Sequence, residues 1–100
     1  MEITHELAQQ IVDKIRDIIG KNINIMNEKG IIIGTGDKSR LYQYHEGAAL
    51  VLKNKKKIFI HTENETNLVG VKPGINLPIE NGHEVIGVVG ITGNPDEVGP

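Results

Sequence analysis

The chain has 100 residues, 38% hydrophobic and 24% charged, with 11 Lys and Arg against 13 Asp and Glu for a formal net charge of −2. That length allows one domain with one core, and the slightly acidic balance argues against a nucleic-acid-binding surface in this stretch. The lack of cysteine excludes disulfides, thiolate metal sites and Cys nucleophiles, no apolar run approaches the roughly 18 residues of a membrane span, and no signal-peptide core opens the chain.

Sixteen Ile, eight Val and six Leu, with one Phe and no Trp, make an aliphatic, β-branched core that favours strands. A cytoplasmic protein with one such core is expected. Residues 2–19 carry a helical period, with Ile3, Leu7, Ile11, Ile15 and Ile18 on one stripe, widened by Val12 and Ile19. Gly20 is placed as its left-handed stop. Residues 22–27 then alternate, Ile23 and Ile25 against Asn24 and Met26. Asn27-Glu28-Lys29-Gly30 reads as a hairpin loop and Ile31-Ile32-Ile33 as the returning strand, broken by Gly34-Thr35-Gly36-Asp37. His45 to Lys53 reads as a short helix. The basic run Lys53-Asn54-Lys55-Lys56-Lys57 reads as a solvated turn into a strand at Ile58–His61, and residues 62–74 as a loop. A second hairpin runs from Ile75 to Glu80, turns at Asn81-Gly82 with type I′ chemistry, and returns through His83–Thr92. Pro78 donates no ladder bond, so its strand lies at an edge or is distorted there. Val85, Ile86, Val88, Val89 and Ile91 make the return strand buried on both faces and therefore central. The order predicts an α+β domain: an antiparallel sheet of about five strands with flanking helices.

Few constellations carry chemistry. Gly34-Thr35-Gly36-Asp37-Lys38-Ser39 has Ser where a dinucleotide fingerprint needs its third Gly, and it is not a Walker A loop. It is either a strand-ending turn or a source of backbone amides for a small anion. Gly87, Gly90 and Gly93 recur along the last strand. They serve close packing of the 2–19 helix on the sheet, or a ligand lying on it. His5, His45, His61 and His83 have no metal-ligand spacing, and the lone Ser39 has no partner for nucleophilic catalysis. No metal site, cofactor or enzyme activity is expected. Two donor-rich patches remain. One holds Lys38, Ser39, Arg40 and His45, with His45-Glu46-Gly47 opening a helix whose N–H groups suit an anion. The other holds Lys72, Gly74 and Asn76. Each is either a solvated loop or a ligand site.

Several stretches resemble a known family. Ala8-Gln9-Gln10-Ile11-Val12, Asn22-Ile23-Asn24-Ile25-Met26, Ile32-Ile33-Gly34-Thr35-Gly36-Asp37 and His45-Glu46-Gly47-Ala48 look like the sugar diacid recognition domain. So do Gly70-Val71-Lys72-Pro73-Gly74-Ile75-Asn76-Leu77-Pro78-Ile79 and Val85-Ile86-Gly87-Val88-Val89-Gly90-Ile91-Thr92-Gly93-Asn94-Pro95. The ordered set spans nearly the whole chain. The resemblance implies the N-terminal sensor of a bacterial carbohydrate diacid regulator, with a PAS-like or Cache-like fold. It implies a small hydroxylated acid as ligand, of the glucarate, galactarate or glycerate type, a homodimer, and DNA bound through a C-terminal helix-turn-helix. This sequence stops at Pro100 where the family pattern continues into a further helix, so a fragment truncated before the DNA-binding region is expected. The candidate ligand-binding residues are Gly36, Arg40, His45, Glu46, Gly47, Lys72, Gly74 and Asn76. Arg40 and the amides at the His45 helix would take one carboxylate, and Lys72 with Asn76 the second carboxylate and the hydroxyls. His45 would titrate near neutrality. The alternative is a dimerisation or signal-transmission module without its own ligand.

Overall fold

Helix α1 (His5–Ile19) begins where Thr4 holds extended backbone and its hydroxyl accepts from the Leu7 N–H, and it stops at Gly20, left-handed at φ 65°. A side chain there would meet open space but would strain the backbone, which is why glycine ends the helix. The computed structural model describes residues 2–54, 58–60 and 74–93. In them α1 is followed by β1 (Ile23–Asn27), β2 (Ile32–Thr35), a 3-10 turn (Lys38–Arg40), α2 (Glu46–Asn54), β3 (Ile58–Ile60), β4 (Gly74–Asn81) and β5 (Glu84–Thr92). The expected basic turn at residues 55–57 and most of the expected loop at 62–74 lie outside the described residues.

All strand pairs are antiparallel and the sheet runs β2-β1-β5-β4-β3, with β5 in the middle as its two-sided burial requires. The first hairpin turns through Gly30 at φ 79°, with Asn27 Oδ1 accepting from the N–H groups of Lys29 and Ile31. Its second strand does not break at Gly34 as expected; Gly34 and Thr35 stay paired to Ile25 and Asn24. The second hairpin turns one residue later than expected. Asn81 pairs with Glu84, so Gly82 and His83 form the loop. Positive φ is confined to Gly82, whereas a type I′ turn needs it at both central residues. Pro78 pairs with Val88 beyond the three residues of β4 that β3 covers. The missing N–H therefore costs no ladder bond.

Helices cover opposite faces of the sheet. Against α1, Ile23, Ile25 and Ile33 pack on Ala8 and Val12, with Ile3, Ile15, Ile79, Val89 and Ile91 around them. Against α2, Met26, Ile32 and Val88 pack on Ala48 and Val51, flanked by Leu52. The contact face of α1 is rotated from the expected stripe: Ala8 and Val12 are fully buried, while Leu7, Ile11, Ile18 and Ile19 are exposed. Small size decides this. A Cβ at Gly34 would lie 2.7 Å from the Ala8 backbone, so helix and strand meet through their two smallest residues.

Polar side chains of α1 fix this seat. Gln9 Nε2 donates to the Thr35 carbonyl at 2.9 Å and its Oε1 accepts from the Thr35 N–H at 3.1 Å, imitating a neighbouring strand. His5 Nδ1 donates to the Ile33 carbonyl at 2.7 Å. Backbone bonds from Tyr42 and to Gln43 satisfy Ile32. The outer edge of β2 is thereby covered, and an edge with its groups already paired resists sheet-to-sheet association. Gly34→Ala should destabilise the fold by roughly 1–3 kcal/mol through overpacking against Ala8. The midpoint of a urea melt checks this, and an unchanged midpoint would mean that α1 seats elsewhere.

Candidate functional site

Among the described residues four polar side chains are buried, Asn24, Thr35, His45 and Asn76, and the strand registers put Asn24, Thr35 and Asn76 on the α2 side of the sheet. Asn24 lies opposite both Thr35 and Gly90, and Asn76 lies on the other side of Gly90. Burying such groups is unfavourable unless they are hydrogen-bonded. Three of them, Asn24, His45 and Asn76, border one small cavity of about 10 Å³, roughly the space of one water molecule, lined by Asn24, Arg40, His45, Gly74, Asn76 and Gly90, with Ile91 and Thr92 completing the wall.

Asn76 spans this cavity between sheet and helix. A Cβ at Gly90 would fall 2.8 Å from its Oδ1, and one at Gly47 would fall 3.4 Å from its Nδ2 and 2.9 Å from His45 Cε1. Gly90 therefore makes room for an amide, neither of the two roles expected for it. The glycine that seats α1 is Gly34, joined by Gly87, whose Cβ would stand 3.1 Å from Ile3 Cδ1 and 2.6 Å from the Met26 carbonyl oxygen. Asn76 is only 4% exposed, yet its side chain makes no hydrogen bond among the described residues. Asn24 is half-engaged: its Oδ1 accepts from Thr35 Oγ1 at 2.5 Å, and its amide nitrogen makes no hydrogen bond among the described residues.

Arg40 arrives from the β2–α2 connection, which is tied to the cavity floor. Thr35 Oγ1 accepts from the Asp37 N–H at 3.0 Å. Asp37 then caps the 3-10 turn, accepting from the Ser39 N–H at 3.1 Å and Ser39 Oγ at 2.7 Å, and the Arg40 N–H donates to its carbonyl at 3.0 Å. Floor and arginine-bearing turn form one hydrogen-bonded unit. Tyr42 follows at φ 67°, left-handed, with its ring 5.7 Å from that of His5 on α1.

His45 caps α2. Its Nδ1 accepts from the Ala48 N–H at 2.9 Å, so the ring proton sits on Nε2. Burial, together with the Arg40 guanidinium, pushes its pKa down to about 4. The expected titration near neutrality is thus corrected: His45 is a neutral cap and donor at physiological pH.

Of the residues singled out from sequence, Arg40, His45, Gly74 and Asn76 meet at the cavity and Gly47 backs it. Gly36 does not. Its carbonyl accepts from Arg16 Nη1 at 3.3 Å, and it does not line the cavity. Glu46 is half-buried in the first turn of α2 and is not a lining residue. Lys72 lies outside the described residues. Sequence reasoning missed Asn24 and Thr35. The available signal was an Asn in a strand whose neighbours Ile23, Ile25 and Met26 all demand burial. Among the described residues no group of three or more His, Cys, Asp or Glu could hold a metal ion, and no helix is long and apolar enough to cross a membrane.

Comparison with known proteins completes the description. Residues 3–100 match the model of the family described as "Putative sugar diacid recognition". The chain belongs to this sugar diacid recognition family. It is 43% identical over 93 residues to the carbohydrate diacid regulator of Escherichia coli, covering 93% of this chain and 24% of that protein. It is 39% identical over 94 residues to the uncharacterized protein YsfB of Bacillus subtilis, covering 94% of this chain and 26% of that one. An uncharacterized protein of Haemophilus influenzae is 38% identical over 100 residues, covering 98% of this chain and 27% of its own length. The chain spans about a quarter of the length of these relatives.

A pH dependence follows for this sugar diacid recognition domain. Because the folded pKa of His45 lies below the usual 6.5, folding favours the neutral ring. Its contribution, on the order of 3 kcal/mol, is fully present above pH 6.5 and is lost as pH falls toward 4. His45→Asn keeps a capping side chain and removes the titration. Denaturant melts between pH 7 and 4 should show a shallower acid loss in the variant; parallel curves would contradict the neutral cap.

Proposed function

We propose that this chain is the ligand-sensing domain of a bacterial transcriptional regulator, and that the cavity between α2 and the sheet binds a small hydroxylated acid of the glucarate, galactarate or glycerate type. The carrying observation is that the Asn76 side chain, which makes no hydrogen bond among the described residues, lines a small pocket together with Arg40 and His45. A polar side chain turned into such a pocket is free to bond a ligand there. Arg40 takes the ligand carboxylate by charge-assisted hydrogen bonds, with the Nε2–H of neutral His45 beside it. The family description and the name of the E. coli relative support a diacid ligand and a regulatory role.

On this reading the domain is a PAS-like sensor in a cytoplasmic, homodimeric regulator, and DNA is bound by a region beyond this chain. On the same reading it is not an enzyme, which the regulator name of the E. coli relative supports. The exposed apolar face of α1, with Leu7, Ile11 and Ile18, favours a second reading as a dimerisation module without a ligand. A thermal-shift screen with aldaric, aldonic and other hydroxy acids separates the two. A ligand at 100 times its Kd adds about 2.7 kcal/mol of stability, whereas a pure dimerisation module shows no shift with any acid but self-associates with concentration. Arg40→Ala should weaken the bound acid by about 1.5–3 kcal/mol, measured by calorimetry. Wild-type affinity in that variant would remove Arg40 from the site.

A further inference from the structure

We infer that Asn81 is a site of spontaneous modification. Its side-chain amide cyclises onto the Gly82 nitrogen, and water then leaves an aspartyl or isoaspartyl residue at the tip of the second hairpin.

The sequence narrows this chemistry to one position. Ring closure needs the backbone nitrogen of the following residue to reach the asparagine side chain, and a side chain on that residue hinders the approach. Nine asparagines occur in the chain, and only Asn81 is followed by glycine. Seven precede Ile, Glu, Lys or Leu, and Asn94 precedes Pro95, which has no N–H. No aspartate precedes glycine.

The fold leaves the dipeptide open. Asn81 and Glu84 form the last pair of the β4–β5 ladder, so the Gly82 nitrogen lies outside it. Asn81 and Gly82 are both exposed, and a β-carbon at Gly82 would have nothing within 4 Å, so water has access to the tip. The hairpin itself demands the vulnerable neighbour. Gly82 holds φ 65°, which glycine adopts freely and other residues do not. Asn27, in the first hairpin, is the contrast: its Oδ1 accepts from the N–H groups of Lys29 and Ile31, and Glu28 follows it. Asn24 and Asn76 are buried.

The steps balance with water as the one co-reactant. A base takes the Gly82 amide proton, the nitrogen attacks Asn81 Cγ, and the side-chain nitrogen leaves with a proton as ammonia. One water then opens the five-membered imide at either carbonyl. Opening at one gives aspartate; opening at the other routes the main chain through the former side chain and adds a methylene to it. Either product places a carboxylate beside Glu84, and like charges facing each other across a ladder are destabilising. The hairpin end of the sheet loosens, while Gly74, Asn76 and Gly90 of the cavity lie toward the other end of β4 and β5.

The test is incubation of the whole chain in mildly alkaline buffer, with peptide mapping by mass spectrometry at intervals. The peptide holding Asn81 should gain the mass difference between water and ammonia, as mixed aspartyl and isoaspartyl forms, at least tenfold faster than any other asparagine. Asn81→Gln should abolish this fast phase. Asn81→Asp, which installs one product directly, should melt at a lower urea midpoint than Asn81→Gln, and salt should narrow the difference. If Asn81 stays intact while a free peptide spanning Pro78 to Val85 converts, the folded hairpin protects it and the inference is overturned. Equally fast conversion at other asparagines overturns it too. Equal midpoints for the two variants would overturn the loosening of the ladder.

Discussion

Burying an amide without its hydrogen bonds costs about 1–3 kcal/mol by mutational measures, and this constraint organises the α2 side of the molecule. Asn24, Thr35, His45 and Asn76 are all withdrawn from solvent, and the chain answers each differently. Thr35 bonds Asn24 and receives the Asp37 N–H, and His45 satisfies the first turn of α2. Among the described residues the Asn76 side chain makes no hydrogen bond, and it faces the cavity. Glycines at 47 and 90 let helix and sheet close around that side chain, so the helix sits where it does because an amide, not a methyl, fills the gap.

The opposite face obeys a different rule. There α1 meets β2 through Ala8 and Gly34, and polar arms from Gln9 and His5 reach the strand edge. Dispersion contacts at short range and edge pairing act together. One face of the sheet is thus tightly seated against α1, while the other carries polar side chains around a cavity.

Periodicity and turn chemistry made α1, α2, both hairpins and the central place of β5 legible in advance. Gly20 and Gly30 took the conformations their positions asked for. The rotation of α1 was not legible, because hydrophobic patterns weigh large side chains, and close approach is decided by small ones such as Ala8. The hairpin shift at Gly82-His83 escaped for a related reason: the extra β5 residue near Ile79 and Glu80 changes the pairing and lies outside any dipeptide rule. At the site, donor chemistry alone picked out Arg40, His45, Gly74 and Asn76, drawn from two separate patches. Their meeting depends on β4 pairing with β5 and on α2 lying over both, and a helix and a hairpin so far apart in the chain are not brought together by any local pattern. Asn24 and Thr35 escaped because a lone polar residue in a strand looks solvated until something covers it.

Strand β1 touches both of these worlds at once. Ile23 and Ile25 belong to the α1 core, while Asn24 borders the cavity and Met26 supports α2. A slip of one residue against β5 would send every side chain to the other face, pressing an amide into the greasy seat of α1 and lining the polar chamber with isoleucine. Neither compartment tolerates the exchange. The strand is locked in place from above and below by two incompatible chemistries, so the position of the chamber floor is set by the folding of the whole sheet and does not depend on a ligand being present.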